Sequence, residues 1–177
     1  ISAIICRDPK RARELVLSLS RFFRINLKQN TAVVTLKEEI DHVNAYLAIE
    51  KARFAERLQV TIKCDDAAMS ALLPSFTLQP LVENAVKHGI AQRIEGGHLT
   101  LNVRCTTDNH IHILVEDNAG LYKPKKEQHA GLGMDIVDKR LIHQFGQQAG
   151  LVIECRTNQF TRMSFSIPHT HHHSHQG

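Results

Sequence analysis

Tryptophan is missing from this sequence, tyrosine occurs twice, and aromatic residues make up only 5% of it. Platforms for stacking nucleic-acid bases are therefore scarce. Charge of one sign is scarce too: 22 basic residues stand against 18 acidic ones, a formal +4 scattered along the chain. Neither property suits a nucleic-acid partner. No apolar run reaches the roughly 18 residues a membrane helix needs. There is no secretory signal, and the first residue is Ile1 rather than Met, so the sequence reads as a piece of a longer protein. Cysteine appears four times, as Cys6, Cys64, Cys105 and Cys155, with no CxxC pair. These read as small core residues with the reduced thiols of a cytoplasmic protein. Repeats at solenoid periods are absent.

What is present suffices for a packed core: 177 residues, 42% hydrophobic and 23% charged. That length fits one domain, or one domain with a helical extension. Five of the twelve histidines fall in residues 169–177. This stretch is expected to be a disordered His-rich tail and is left out of the functional argument.

The most informative stretch is Leu78 to Ile90, LQPLVENAVKHGI. Leu78, Leu81, Val82, Ala85 and Val86 recur at i, i+3, i+4, i+7, i+8, the stripe of a buried helix face. Asn84, Lys87 and His88 share another face at i, i+3, i+4. Such a face is either solvated surface or a holder for a metal–phosphate group. An amide oxygen suits Mg²⁺, and a lysine offers a point charge to phosphate oxygens.

The remaining chain reads in order. Ile1–Cys6 looks like the end of an upstream helix. Asp8-Pro9 supplies an N-cap and a first-turn proline for a helix to about Lys28. Its apolar stripe suggests a helical hairpin with the preceding turns, and pairing with a second copy, unless it packs on its own domain. Residues 29–34 read as a break. Thr35-Leu-Lys-Glu38 has the form of a capping box and predicts a helix to about Ala55. Alternation predicts strands at 58–64, 99–105 and 111–115. Residues 65–74 read as a loop, and 118–130 as a polar, mobile loop. Gly131-Leu-Gly133 opens a helix with Met134, Val137, Leu141 and Phe145 inward. Strands are expected at 151–156 and 161–167. This order predicts an α/β (α+β) two-layer sandwich on a mixed sheet.

Three chemical features follow one another: the Asn84/Lys87/His88 face, Asp117 at the end of an apolar strand, and glycines at a helix start. Asp117 can accept a hydrogen bond from an adenine amine. Glycines at a helix N-terminus let backbone N–H groups approach phosphate oxygens. Each alone has a plain structural explanation as a cap or turn; their order fits a nucleotide pocket.

LQPLVENAVKHG resembles the N box of LytS/YehU-type sensor histidine kinases, within the wider GHKL ATPase group. EDNAGLY resembles their G1 box and GLGMDIVDKRL their G2 box. DHVNAYLAIEKARFAERLQV resembles the segment leading into that family's catalytic domain, so the likeness spans residues 1–168. It implies a Bergerat-type ATP-binding domain at 31–168, preceded by the remainder of a dimerisation hairpin at 1–30. It implies ATP and Mg²⁺ as ligands, with Asn84 on the metal. Lys87 and His88 would lie near the phosphates and serve as possible catalytic groups. Asp117, Asn118 and Gly120 would line the adenine side, supported by Thr161. Gly131, Leu132, Gly133 and Met134 would form the phosphate-side turn, with Lys123, Lys125 and Lys126 on a lid. The implied protein is a protein-histidine kinase and homodimer, the cytoplasmic domain of an inner-membrane sensor held there by a segment outside this sequence. Its partner would be a response regulator. Two departures matter. The G1 box here has one glycine, Gly120, in place of DxGxG. The glutamate base that wider-group ATPases place four residues before the asparagine is Pro80, while Glu83 is expected to face away from Lys87 and His88. An HFLFNALN-like acceptor motif is absent. The rivals are a non-catalytic nucleotide-sensing or interaction module and a GHKL ATPase.

Overall fold

The computed structural model describes residues 8–28, 32–122 and 132–169. Ile1–Cys6, the lid lysines, Gly131 and the tail from residue 170 lie outside them. Helix α1 (Pro9–Lys28) starts as expected, with Asp8 Oδ1 accepting from Arg11 N at 2.9 Å. Strand β1 (Val33–Thr35) leads into α2 (Leu36–Phe54). The capping box is formed in both directions: Glu38 N donates to Thr35 Oγ1 at 3.2 Å, and Thr35 N to Glu38 Oε2 at 2.7 Å. Strand β2 (Leu58–Cys64) follows, then β3 (Leu72–Pro74). Helix α3 runs from Leu78 to Asn84, becomes a π-turn over Ala85–Gly89, and closes as a 3₁₀ turn over Ile90–Gln92. Strands β4 (Gly97–Cys105) and β5 (His110–Asp117), helix α4 (Leu132–Phe145), and strands β6 (Val152–Arg156) and β7 (Phe160–Pro168) complete the order.

The main sheet has the order β2-β4-β5-β7-β6. β2 and β4 are parallel and every other pair is antiparallel. It is thus the mixed sheet that the strand pattern predicts. One face takes the alternate residues Leu99, Leu101, Val103, Ile111, Ile113, Val115, Met163, Phe165 and Ile167, all at 2% exposure or less. The helices cover that face. Leu78, Leu81, Val82, Ala85 and Val86 of α3 are fully buried against it. Each large apolar side chain so buried contributes about 1.5–3 kcal/mol. The other face carries partly exposed His112, Glu116 and Arg162, and Arg162 pairs with Glu116.

Two expectations fail. Residues 33–34, read as part of a break, and 72–74, read as part of a loop, pair together with Thr35 as a short antiparallel ribbon. Three-residue strands are too short for alternation to show. The stretch 78–90 is not one regular α-helix, since its second half is a π-turn. Helix α1 packs on α2: the Phe22 ring lies 5.3 Å from His42 and 6.3 Å from Tyr46, centroid to centroid.

Candidate nucleotide-binding site

Helix α3 is set by a buried carboxylate from another element. Glu39 of α2 is 1% exposed, and its two oxygens accept from Phe76 N and Leu78 N, each at 2.7 Å. Burial pushes the Glu39 carboxyl up, and these backbone donors pull it back. The carboxylate thus supplies the N-terminal cap that Thr77, whose hydroxyl donates to Pro74 O, does not. Pro80 falls in the first turn of α3, where its missing N–H costs nothing.

The polar face of α3 meets the start of α4 across a cleft of about 210 Å³, lined by Pro80, Glu83, Asn84, Lys87, His88, Gly133 and Met134. The sequence-based trio is therefore together, with the G2-box residues opposite. A Cβ on Gly133 would sit 3.4 Å from Pro80 Cβ, so the two helices nearly touch there. Asn84 Nδ2 points to Met163 Sδ at 3.9 Å. Contrary to the expectation from the helical wheel, Glu83 does not face away from Lys87 and His88. It lines the cleft, and its Oε2 pairs with Lys87 Nζ at 2.8 Å. Residues four apart share a helix face, so the spacing itself carried this signal.

Asp117 ends β5 with its carboxylate 1% exposed. Its Oδ1 accepts from Ala119 N at 2.9 Å and Gly120 N at 3.2 Å. Desolvation raises its pKa, opposed by these two donors and by the Thr161 hydroxyl. Thr161 stands directly across from Asp117 in the β5–β7 register and is also 1% exposed. The single G1 glycine makes the turn: Gly120 has φ +61°, and its carbonyl accepts from Asn158 N at 3.1 Å. A Cβ there would lie 2.1 Å from Arg156 O, so only glycine fits. Asn118, next to Asp117, makes a structural contact of its own. Its Oδ1 accepts from His98 N at 2.8 Å and tethers the start of β4. Leu132 opens α4 beside Gly133.

One residue absent from the sequence-based set belongs with Asp117. A Cβ on Gly89 would lie 2.9 Å from Asp117 Cγ, so the end of the π-turn rests directly on the carboxylate. The histidine–glycine pair at 88–89 was visible in the sequence; its purpose was not, because the contact depends on the π-turn. Among the described residues no group of three His, Cys, Asp or Glu is placed to hold a metal.

A buried carboxylate at a strand end, a glycine backed onto it, and an amide–lysine–histidine cleft beside a helix start together define a nucleotide-binding α/β sandwich. Residues 71–171 match the family described as histidine kinase-, DNA gyrase B- and HSP90-like ATPase, and the chain belongs to that family. Residues 1–58 match the family described as histidine kinase. The chain is 48% identical over 168 residues to the sensor histidine kinase BtsS of Escherichia coli (strain K12), covering 95% of this chain and 30% of that protein. It is 37% identical over 175 residues to the sensor histidine kinase/phosphatase LytS of Staphylococcus aureus (strain MRSA252), covering 91% of this chain and 30% of that protein. The chain thus spans under a third of the length of these relatives. The fold is that of the histidine kinase domain of the Erythrobacter litoralis EL346 blue-light activated kinase, with TM-score 0.57, 17% identity, and coverage of 94% of this chain and 80% of that one. The catalytic domain of histidine kinase ThkA gives TM-score 0.54 at 17% identity, covering 78% of this chain and 96% of that one.

Proposed function

We propose that this chain is the ATP-binding catalytic part of a two-component sensor histidine kinase. In this function the γ-phosphoryl of Mg·ATP passes to a histidine outside the chain, and from there to an aspartate of a response regulator. The observation that carries this is the buried Asp117–Thr161 pair placed beside the Asn84/Lys87/His88 cleft. The residues fit the ligands. Asp117, held ionisable by Ala119 N and Gly120 N, accepts from the adenine amine. Asn84 holds Mg²⁺, which when bound neutralises charge on the phosphate oxygens. Lys87 binds phosphate oxygens and stabilises charge as the bond to the leaving ADP breaks. Gly133 and Met134 at the start of α4 line the same cleft, where a helix start offers backbone amides to phosphate oxygens.

The acceptor histidine, the sensing part and any attachment to the inner membrane are assigned to the length that the relatives have and this chain does not span. No helix among the described residues is long and apolar enough to cross a membrane. We assign residues 1–30 to a dimerisation hairpin and 31–168 to the catalytic domain, which would act in the cytoplasm. Val16, Leu17 and Phe23 of α1, at 47%, 60% and 54% exposure, suit a homodimer contact. One observation favours the ATPase rival: with Glu83 in the cleft, Pro80 no longer leaves the site without a carboxylate. Both Glu83 oxygens are engaged, by Gln79 and Lys87, which favours transfer over water activation.

Calorimetric titration of wild type and Asn84→Ala with ATP, with and without Mg²⁺, tests the proposal. Metal-enhanced affinity that disappears in the variant is expected. Wild type that ignores ATP, or a variant that binds Mg·ATP unchanged, refutes it. Sustained Mg·ATP turnover by this chain alone would select the ATPase.

A further inference from the structure

The cleft contains a carboxylate for which nucleotide binding has no evident use. Glu83 lies next to the metal-site asparagine on α3, with its side chain 28% exposed. A negative charge there repels a triphosphate, yet Glu83 is tightly held in place. Its Oε1 accepts from Gln79 Nε2 at 2.6 Å and its Oε2 from Lys87 Nζ at 2.8 Å. Gln79 is 8% exposed, and its own amide oxygen has no hydrogen-bond partner, so its amide is directed at Glu83 alone. A buried amide that leaves one end unsatisfied in order to hold a carboxylate marks that carboxylate's position as fixed. The lysine is consequently not a free cation. Its ammonium is already paired, four residues along the same face.

We infer that Glu83 is a positioning residue that sets the charge of the phosphate side: it fixes the Lys87 ammonium in the cleft and offsets it, so that phosphate must compete for it. The inference rests on the nucleotide function proposed above. Its signature is an effect on phosphate and not on adenosine. Adenine is read at Asp117, on the sheet, whereas the Glu83–Lys87 pair lies on α3. A structural role for Glu83 would change the affinity for all adenine nucleotides together, since α3 also carries Gly89 against Asp117.

The test is titration of Mg·ATP and AMP into wild type, Glu83→Gln, Lys87→Met and the double variant. Gln keeps the shape of Glu83 and its contact with Gln79, and removes the charge. Glu83→Gln is expected to bind Mg·ATP about two- to fivefold more tightly, the scale of a partly exposed charge pair, with AMP unchanged. Lys87→Met leaves the carboxylate facing the phosphates and weakens Mg·ATP. Adding Glu83→Gln to Lys87→Met restores more than the gain that Glu83→Gln gives alone, because the carboxylate is then no longer offset by the lysine, so the two changes are not additive. If Glu83→Gln weakens Mg·ATP, shifts ATP and AMP equally, or adds independently to Lys87→Met, the inference falls while the proposed function stands. If wild type fails to bind Mg·ATP at all, both fall.

Discussion

Gly89→Ala is the most direct probe of how the helix layer and the sheet build one site. A methyl group at this position would meet Asp117 Cγ and Oδ1 at 2.9 Å and Oδ2 at 3.1 Å. Carbon contacts settle at about 3.5–4.0 Å, so the carboxylate must retreat by about 0.6–1 Å. Its hydrogen bonds from Ala119 N and Gly120 N, now 2.9 and 3.2 Å, cannot both survive that shift. The adenine acceptor is displaced with them. Loss of one hydrogen bond to a charged group, about 1.5–3 kcal/mol, predicts roughly 10- to 100-fold weaker Mg·ATP binding. The fold pays less, because the obstructing atoms are the end of a side chain. An overpacking penalty of about 1–2 kcal/mol lowers Tm by about 2–8 °C. Calorimetry and thermal melts read the two separately. In an Asp117→Asn background the alanine should cost little further ATP affinity, since its target is already altered. Gly89→Ala that binds Mg·ATP like wild type would refute the argument.

Two predictions concern pH. Burial raises the Asp117 carboxyl, so the folded state holds its proton more tightly than the unfolded one. That group's contribution to stability is complete below the ordinary carboxylate range and is lost as pH rises through the raised pKa. Asp117→Asn, which can still accept from Ala119 N and Gly120 N, should therefore melt no lower than wild type at pH 7.5 while losing ATP affinity; a clear fall in Tm there sinks the assignment. His42 has the opposite sign. Burial lowers its pKa, so its contribution is present above the ordinary histidine range and is lost as pH falls below it. His42→Phe keeps a ring against Phe22 and Phe76 and should flatten the decline in Tm between about pH 7 and 5, whereas equal declines in both proteins would show that His42 does not titrate with unfolding.

The features legible in the sequence were those written in local period or local chemistry. Alternation located β2, β4, β5 and β7, and Thr35 with Glu38 fixed the start of α2 as a capping box. The i, i+3, i+4 spacing of Asn84, Lys87 and His88 brought them to one cleft. Thr161 is named as the partner of Asp117 by the family likeness alone, and the two stand opposite each other in the β5–β7 register. What could not be read depends on contacts between distant segments. β1 and β3 pair across 39 residues at Val34↔Leu73, and Leu73 joins the main core. Glu39 looks like a first-turn acidic residue of α2, and its role as the cap of α3 appears only once the helices are packed. Asn118 looks like part of a nucleotide motif, and the hold of its side chain on the start of β4 appears only in the fold.

The π-turn is the device that joins the two halves of the site. Asn84 contacts Met163 of β7, and Gly89 contacts Asp117 of β5, so both must approach the sheet from one element. They are five residues apart. In an α-helix of 3.6 residues per turn, positions five apart point in different directions. A π-turn closes its hydrogen bonds over five residues, which brings i+5 back towards i. Here Ile90 N reaches both Ala85 O and Val86 O, so the widening is confined to the last turn. Asn84, Lys87 and His88 line one cleft even though Lys87 and His88 belong to the π-turn. A substitution that restores regular α geometry across 85–89 would keep the polar face and carry Gly89 away from Asp117. Phosphate contacts and adenine recognition would then separate, with AMP affinity falling further than the affinity for inorganic triphosphate.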